Sequence, residues 1–262
     1  MDPLQPLIDN LHSDGRPRVW SLVITVFGDS VQLRGGRVPA VRLNRLLGRI
    51  GIESGALRTS LSRLSRDGWV EGRKSGRTSS YALTPSGTAQ FGPATARIYA
   101  APRNGPVADW TFSTQEVAGA LRVAGGWLSP SKVTTSGFQI TGSLSKNSAD
   151  DIWNNLASDH VAALGKLADD LATLAGLDPD PIDAAAARTL LIHRWRRLVL
   201  RHPEVPAELT PADFAPHDIH RAVADAYARL TPMAEQWLDL AQGDMPAMPN
   251  ATPALAKRFG QA

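Results

Sequence analysis

Residues 54–66, SGALRTSLSRLSR, place leucines at 57, 61 and 64. That spacing of three and four sets all three on one face of a helix. The opposite face then carries Ser54, Arg58, Thr59, Ser62 and Arg66, with Arg63 at its edge. Guanidinium and hydroxyl groups on one helix face suit two tasks, bidentate bonding to guanine edges and contact with phosphate oxygens. Arg58 is placed for a base edge, Thr59 and Ser62 for bases or phosphates, and Arg63 for phosphate. Downstream, Arg73, Lys74 and Arg77 surround the turn signal Ser75-Gly76. Cations at a hairpin tip suit a flanking minor groove or phosphate backbone. Each element alone also has a plainer reading, a solvated arginine face and cations that keep a strand edge soluble.

Two further clusters could do chemistry. Arg194, Arg197 and Arg201 fall three and four residues apart, on one side of a helix whose other side is Leu190, Leu191, Trp195, Leu198 and Val199. Such arginines can clamp the phosphates of an anionic ligand; alternatively they, with Arg196, pair with Glu204, Glu208 and Asp213. His193, His202, His217 and His220 lie close in sequence, and His217 and His220 could share a helix face. Their spacing matches no closed metal site, so caps and surface hydrogen bonds are the expected roles, with no metal and no cofactor. Hydrolase, P-loop, zinc-peptidase and dinucleotide signatures do not occur, which argues against an enzyme.

The charge is unevenly placed. The net charge of +3 over 262 residues hides 14 basic against 7 acidic residues in 1–100, and 14 against 18 in 101–262. Within 34–77 there are 11 basic and 3 acidic residues. That asymmetry suggests a polyanionic partner for one end only. Cysteine is absent, which removes disulfides, thiolate nucleophiles and sulfur-ligated metals. With no apolar run near the roughly 20 residues a spanning helix needs, and an acidic, proline-broken start, MDPLQPLID, the expectation is a cytoplasmic protein without a membrane partner.

The elements that would position these residues follow from periodicity. Residues 1–15 read as a loose leader. Arg16–Ser30 reads as a helix through Val19, Leu22, Val23, Val26 and Phe27, and a second, with Pro39 at its first helical position, runs through Val41, Leu43, Leu46, Leu47 and Ile50. Gly51 and Gly68 bracket the helix bearing Arg58. Residues 69–74 and 78–83 read as a hairpin, and Thr84 caps a helix running to Tyr99. Helix, helix, turn, helix and hairpin is the order of a winged helix-turn-helix, whose second helix enters the major groove. Residues 101–106 read as a linker, 107–113 as a strand, 114–124 as a short helix and 127–144 as two or three strands. Beyond 148 the chain is helical, at 149–176, 181–201 and 217–242, with a loosely attached tail after 243. The expected class is α+β, with a DNA-binding domain over 1–100, a small α+β domain over 104–147 and a helical domain over 148–262.

The segments "SLVITVFGDSV" and "LNRLLGRIGIESGALRTSLSRLSRDGWVEGRKSGRTSSYALTPSG" resemble the N-terminal domain of the PaaX family, bacterial repressors of phenylacetate catabolism and related pathways. "DIWNNLASDHVAALGKL", "ARTLLIHRWRRLVLRHPEVPAELTPADF" and "AYARLTPMAEQWL" are similar to that family's C-terminal part. The resemblance implies a ferredoxin-like middle domain, similar in shape to a CRISPR-associated endonuclease. It further implies a dimeric repressor that binds a palindromic operator in double-stranded DNA and releases it on binding an acyl-CoA such as phenylacetyl-CoA. The rival classes are a metal-dependent nuclease using Asp109 or Asp150-Asp151, a CoA-thioester hydrolase, and an architectural DNA-binding protein without an effector. Dimer contacts are expected beyond residue 104, where Trp153, Trp195 and Trp237 serve either the core or an interface.

Overall fold

The computed structural model describes residues 2–13, 15–76, 78–145 and 148–260. Its organising element is α8 (Pro181–Arg201), whose first half buries Ala184, Ala185, Ala186 and Ala187. Four consecutive alanines let neighbouring helices approach closely from several sides. Around α8 pack α1 (Gln5–His12), α2 (Val19–Val26), α3 (Ala40–Arg49), α5 (Pro85–Ile98), α7 (Ser158–Ala175) and α9 (Ile219–Asp239). One continuous apolar core therefore runs from Leu4 through Leu47 and Leu191 to Phe259. The segments expected as N-terminal and C-terminal domains contribute to this same core.

The N-terminal elements follow the sequence pattern closely. Helix α2 continues into a π-helical turn over Phe27–Val31. There Gly28 leaves no room for a side chain, because the Phe91 ring of α5 occupies that space. Gly35 and Gly36 adopt positive φ, and the chain then forms a short strand, β1 (Arg37–Pro39), that the sequence did not signal. Pro39 caps α3 rather than opening it. Next come α4 (Ser54–Arg66), β2 (Val70–Ser75) and β3 (Thr78–Leu83). The three strands form an antiparallel sheet in the order β1-β3-β2. Thr84 caps α5, its hydroxyl oxygen accepting from the Gly87 N–H at 3.0 Å.

Several expectations need correcting. Residues 1–15 are not a loose leader, since Leu4, Leu7 and Leu11 are buried in the main core. Residues 114–124 form no helix. They lead into β5 (Leu121–Val123), which pairs with β6 (Gly126–Ser129) around Gly125 at φ 80°. With β4 (Trp110–Ser113) and β7 (Gln139–Gly142) these make a sheet in the order β5-β6-β4-β7. Among the described residues between 107 and 145 there is no helix, so the ferredoxin-like layout is absent there; the sheet packs on Ile152 and Leu156 of the next helical stretch. That stretch breaks into α6 (Ser148–Asn154) and α7. The tail is anchored as well: Met245, Met248, Arg258 and Phe259 are all buried.

Arg258 explains why the tail holds. It reaches the fully buried Asp29, on the π-turn, at 2.9 Å. Asp29 also accepts from the hydroxyls of Tyr99 at 2.9 Å and Tyr227 at 3.0 Å, and pairs with Arg188 of α8 at 2.9 Å. Burial alone would raise this carboxyl, but the Arg188 and Arg258 guanidiniums and the two hydroxyls hold it below its ordinary value. Its contribution to stability is thus present above the unfolded-chain value of about 3.9 and lost as pH falls through the lower folded value. Removing one partner of a buried ion pair costs about 3–5 kcal/mol. Asp29→Asn is expected to lose that much in urea unfolding at pH 7, and Tyr227→Phe about 1.5–3 kcal/mol, because its hydroxyl both donates to Asp29 and accepts from Arg258.

Candidate nucleic-acid interface

Helix α4 buries Leu57, Leu61 and Leu64 and turns Ser54, Arg58, Thr59, Ser62, Arg63 and Arg66 to solvent. Glu53 precedes it and Gly68, at φ 74°, ends it. The Thr59 hydroxyl donates back to the Gly55 carbonyl at 3.0 Å, and Arg63 faces Asp67 at 3.5 Å in an exposed pair. The hairpin β2–β3 leaves the end of α4 directly. Ser75 pairs with Thr78 at the end of the ladder, and Arg73 and Lys74 lie exposed near the tip. Arg77 falls outside the described residues.

The other cations of this stretch have different work. Arg34 is buried and pairs with Glu235 at 2.6 Å and Asp239 at 2.7 Å. Arg42 is buried too, donating to the carbonyls of Trp237, Leu240 and Pro246 at 2.6–2.7 Å. It thereby caps the C-terminal end of α9, where orphan carbonyls favour a cation; burial, then the nearby Arg34, lowers it to about 10, still charged at neutral pH. Arg49 bridges Asp2 at 2.7 Å and Asp183 at 2.5 Å. Arg45 reaches Gln242 at 2.9 Å, and Arg37 reaches Glu71 at 2.7 Å. Four of the eleven cations, Arg34, Arg42, Arg45 and Arg49, therefore join the N-terminal elements to later parts of the chain. Arg58, Arg66, Arg73 and Lys74 have no side-chain ion pair among the described residues.

Arg194, Arg197 and Arg201 line one groove of about 290 Å³ between α1, α7 and α8. Arg194 pairs with Asp170, and Arg201 with Asp159 at 2.9 Å. These acids lie on α7, so the expected pairing with Glu204, Glu208 and Asp213 is incorrect. The Glu204 carboxylate instead meets His220 at 3.1 Å, and Glu208 accepts from the Val107 N–H. A second lobe of about 380 Å³ continues past Leu11, His193, Arg197 and Arg201 to Arg16, Arg18 and Trp20. Those last three carry no sequence signal, because their role depends on α2 meeting the far end of α8.

The remaining candidates are structural. His220 sits between Glu204 and the Ala100 carbonyl, and His202 stacks on His160 with ring centres 4.4 Å apart. Among the described residues, no three His, Cys, Asp or Glu side chains gather to hold a metal ion. Asp109 pairs with Lys132 at 3.2 Å, while Asp150 and Asp151 open α6. Trp195 and Trp237 are core residues, and Trp153 packs on Phe214. No helix among the described residues is long and apolar enough to cross a membrane.

His193, at the junction of the two lobes, bonds Thr25 of α2 at 3.1 Å. Burial, with Arg196, Arg197 and Arg194 around it, brings it down to about 3. Its folded value lies below the unfolded value of about 6.5, so stability falls as acid protonates the unfolded chain first. Between pH 6 and 4.5 this site is expected to contribute a loss of about 1.4 kcal/mol per pH unit. Urea unfolding across that range checks it, and His193→Gln should remove that part of the slope.

A family model described as PaaX-like protein matches residues 18–87. A second, PaaX-like protein C-terminal domain, matches residues 153–240. Over 273 aligned positions the chain is 26% identical to the "Transcriptional repressor PaaX" of Escherichia coli (strain K12), spanning 87% of this chain and 86% of that one. Among solved structures, the "Uncharacterized protein Rv0674 from Mycobacterium tuberculosis" is similar with a TM-score of 0.45 and 18% identity, covering 81% of this chain and 95% of that one. The two family models follow one another along the chain and together span more than half of it, and the protein belongs to the PaaX-like family.

Proposed function

We propose that this protein is a transcriptional regulator that binds double-stranded DNA through α4 and the β2–β3 hairpin, a winged helix-turn-helix. One observation carries the reading. The arginines of residues 34–49 are bound to acids and carbonyls elsewhere in the fold, whereas those of α4 and the hairpin stand exposed. Family membership and the repressor named among its relatives support it. The finer reading is a homodimeric repressor of a catabolic operon, such as one for phenylacetate, bound to a palindromic operator. In this reading α4 and the hairpin read DNA, 104–147 form a small sheet unit, and the helices beyond 148, with α1, serve the effector. An acyl-CoA-like effector would lie in the two-lobed groove, its phosphates near Arg194, Arg197 and Arg201 and its acyl group against Leu7, Leu11 and Leu190.

Footprinting on the DNA flanking the gene tests the reading, with protection of one palindrome expected. Uniform protection would indicate an architectural protein, and strand cleavage a nuclease. Binding should weaken steeply with salt, each neutralised phosphate adding about −0.9 to the log–log slope. Arg58→Ala is expected to cost about 1–3 kcal/mol on operator DNA and to relax discrimination, as loss of a base contact does. Arg73→Ala should weaken operator and random duplex alike. Equal effects of the two substitutions on both DNAs would remove α4 from the major groove.

A further inference from the structure

Residues 2–12, DPLQPLIDNLH, present two rows of side chains to two different neighbours. Leu4, Leu7 and Leu11 repeat at three and four and are buried, and Leu7 and Leu11 form one wall of the groove. Ile8 and His12, four apart, make the next row round the helix. That row lies over Gly51, the apex of the turn between α3 and α4. A methyl group at Gly51 would stand 3.8 Å from Ile8 Cγ2 and 3.9 Å from His12 Nε2. The turn needs Gly51 at φ 83°, a conformation that favours glycine. Ile50 and Ile52 are buried on either side of it, and the Ile52 N–H donates to the Leu47 carbonyl at 2.9 Å. These few residues set the direction in which α4 leaves α3.

Both ends of α1 are tied down by side-chain hydrogen bonds to carboxylates. At its start, Asp2 accepts from both Arg49 Nη atoms, at 2.7 and 2.9 Å, and from the Leu4 N–H at 2.9 Å. Arg49 is the last residue of α3, directly before the turn. On its other side it donates to Asp183, in the first turn of α8, at 2.5 and 3.0 Å. At the far end, Asn10 Nδ2 donates to Asp170 Oδ1 at 2.6 Å and to the Lys166 carbonyl at 2.9 Å, both on α7. Lys166 adds a bond to Ser13 Oγ at 3.0 Å. Asp170 is buried, and its other oxygen receives Arg194. The acid that holds Asn10 therefore also neutralises an arginine of the groove.

We propose that α1 is a strut that transmits occupancy of the groove to α4. The inference rests on the reading above, with DNA at α4 and a ligand in the groove, and adds the element that joins them. An anion bound to Arg194 competes with Asp170 for the same guanidinium. A buried carboxylate that loses its cation is costly, so Asp170 shifts, and Asn10 shifts with it. Apolar atoms lodged against Leu7 and Leu11 push on the same helix. A displaced α1 withdraws Ile8 and His12 from Gly51 and loosens Asp2 from Arg49, and the turn no longer holds α4 in one direction. Side chains of a recognition helix meet base edges only when held close to one orientation. Specific binding therefore falls while attraction to phosphates remains. Helix α1 contains no lysine or arginine, so its influence on DNA passes through the turn and not through a phosphate contact of its own.

Two substitutions in the full-length protein cut the strut at opposite ends, Asp2→Asn at the turn and Asn10→Ala at the groove. Both side chains reach the surface, so the melting temperature should move little. Each variant is expected to bind the duplex protected in the footprint about fivefold or more weakly, the lower end of typical couplings between sites. Random duplex should bind as before, with the same salt slope, because no phosphate contact is lost. Asp2→Asn removes a negative charge, which by charge alone would tighten DNA binding, so its weakening marks the mechanical route. Two cuts in one strut are redundant: the double variant should be no weaker than the weaker-binding single, whereas independent contacts would multiply. Hydrogen exchange reads the same coupling in reverse, since linkage is reciprocal. Bound operator duplex should slow exchange in 7–12, and Asn10→Ala should speed it in 50–53 while α8 stays protected. Unchanged operator affinity in both variants, losses that multiply, or an α1 indifferent to bound operator overturns the strut and leaves DNA at α4 standing. If Arg58→Ala leaves operator binding unaltered, the assignment of DNA to α4 fails, and the strut with it.

Discussion

Asp29 is a carboxylate with no exposed surface, and four other parts of the chain converge on it. It sits on the π-turn that ends α2. Tyr99 reaches it from the end of α5, Arg188 from α8, Tyr227 from α9 and Arg258 from the tail. A buried charge is tolerable only when paired and hydrogen-bonded, so each of these elements has one position that satisfies it. Glu235 extends the network, meeting Arg188 at 2.8 Å and Arg34 at 2.6 Å. The π-turn itself fits this role, because an extra residue in a helical turn re-aims a side chain inward. The relative placement of the N-terminal elements and the late helices therefore depends on one polar centre as much as on apolar packing.

The same logic separates the arginines of residues 34–77 into two groups. Arg34, Arg42 and Arg49 are ties across the fold, two of them buried and the third paired twice. Arg58, Arg66, Arg73 and Lys74 project into water. A guanidinium satisfied by carboxylates or helix-end carbonyls is electrostatically spent, and one without partners attracts a polyanion. Net charge over a stretch of sequence counts both groups alike. The local field of α4 and the hairpin is set only by the second.

A regulator of this design would couple a groove to a reading helix, and the architecture places the two within one element of each other. Helix α2 contributes Trp20 and Ser21 to the groove, bonds His193 through Thr25, and packs against α4. On the proposed reading, a ligand that changed the seam between α2 and α8 would act on the support of α4 without a long chain of intermediates. The small sheet, with its own separate core, lies apart from this route.

What could be read from the chain alone was what neighbouring residues decide. Leu57, Leu61 and Leu64 fix which side of α4 faces water, because a helix repeats every 3.6 residues. The hairpin follows from a period of two broken at Ser75-Gly76, and the start of α5 from Thr84 before Pro85. Family membership followed from such local segments too. Only the tertiary structure decided matters set by distant partners. Leu4, Leu7 and Leu11 form a docked helix because α7 and α8 offer an apolar surface. Residues 121–123 form a strand because β6 supplies its hydrogen bonds, overriding a helical pattern. Arg42 and Arg58 look alike in sequence, and one is mortar while the other is free. The difference lies in carbonyls some 200 residues away, which no local periodicity can register.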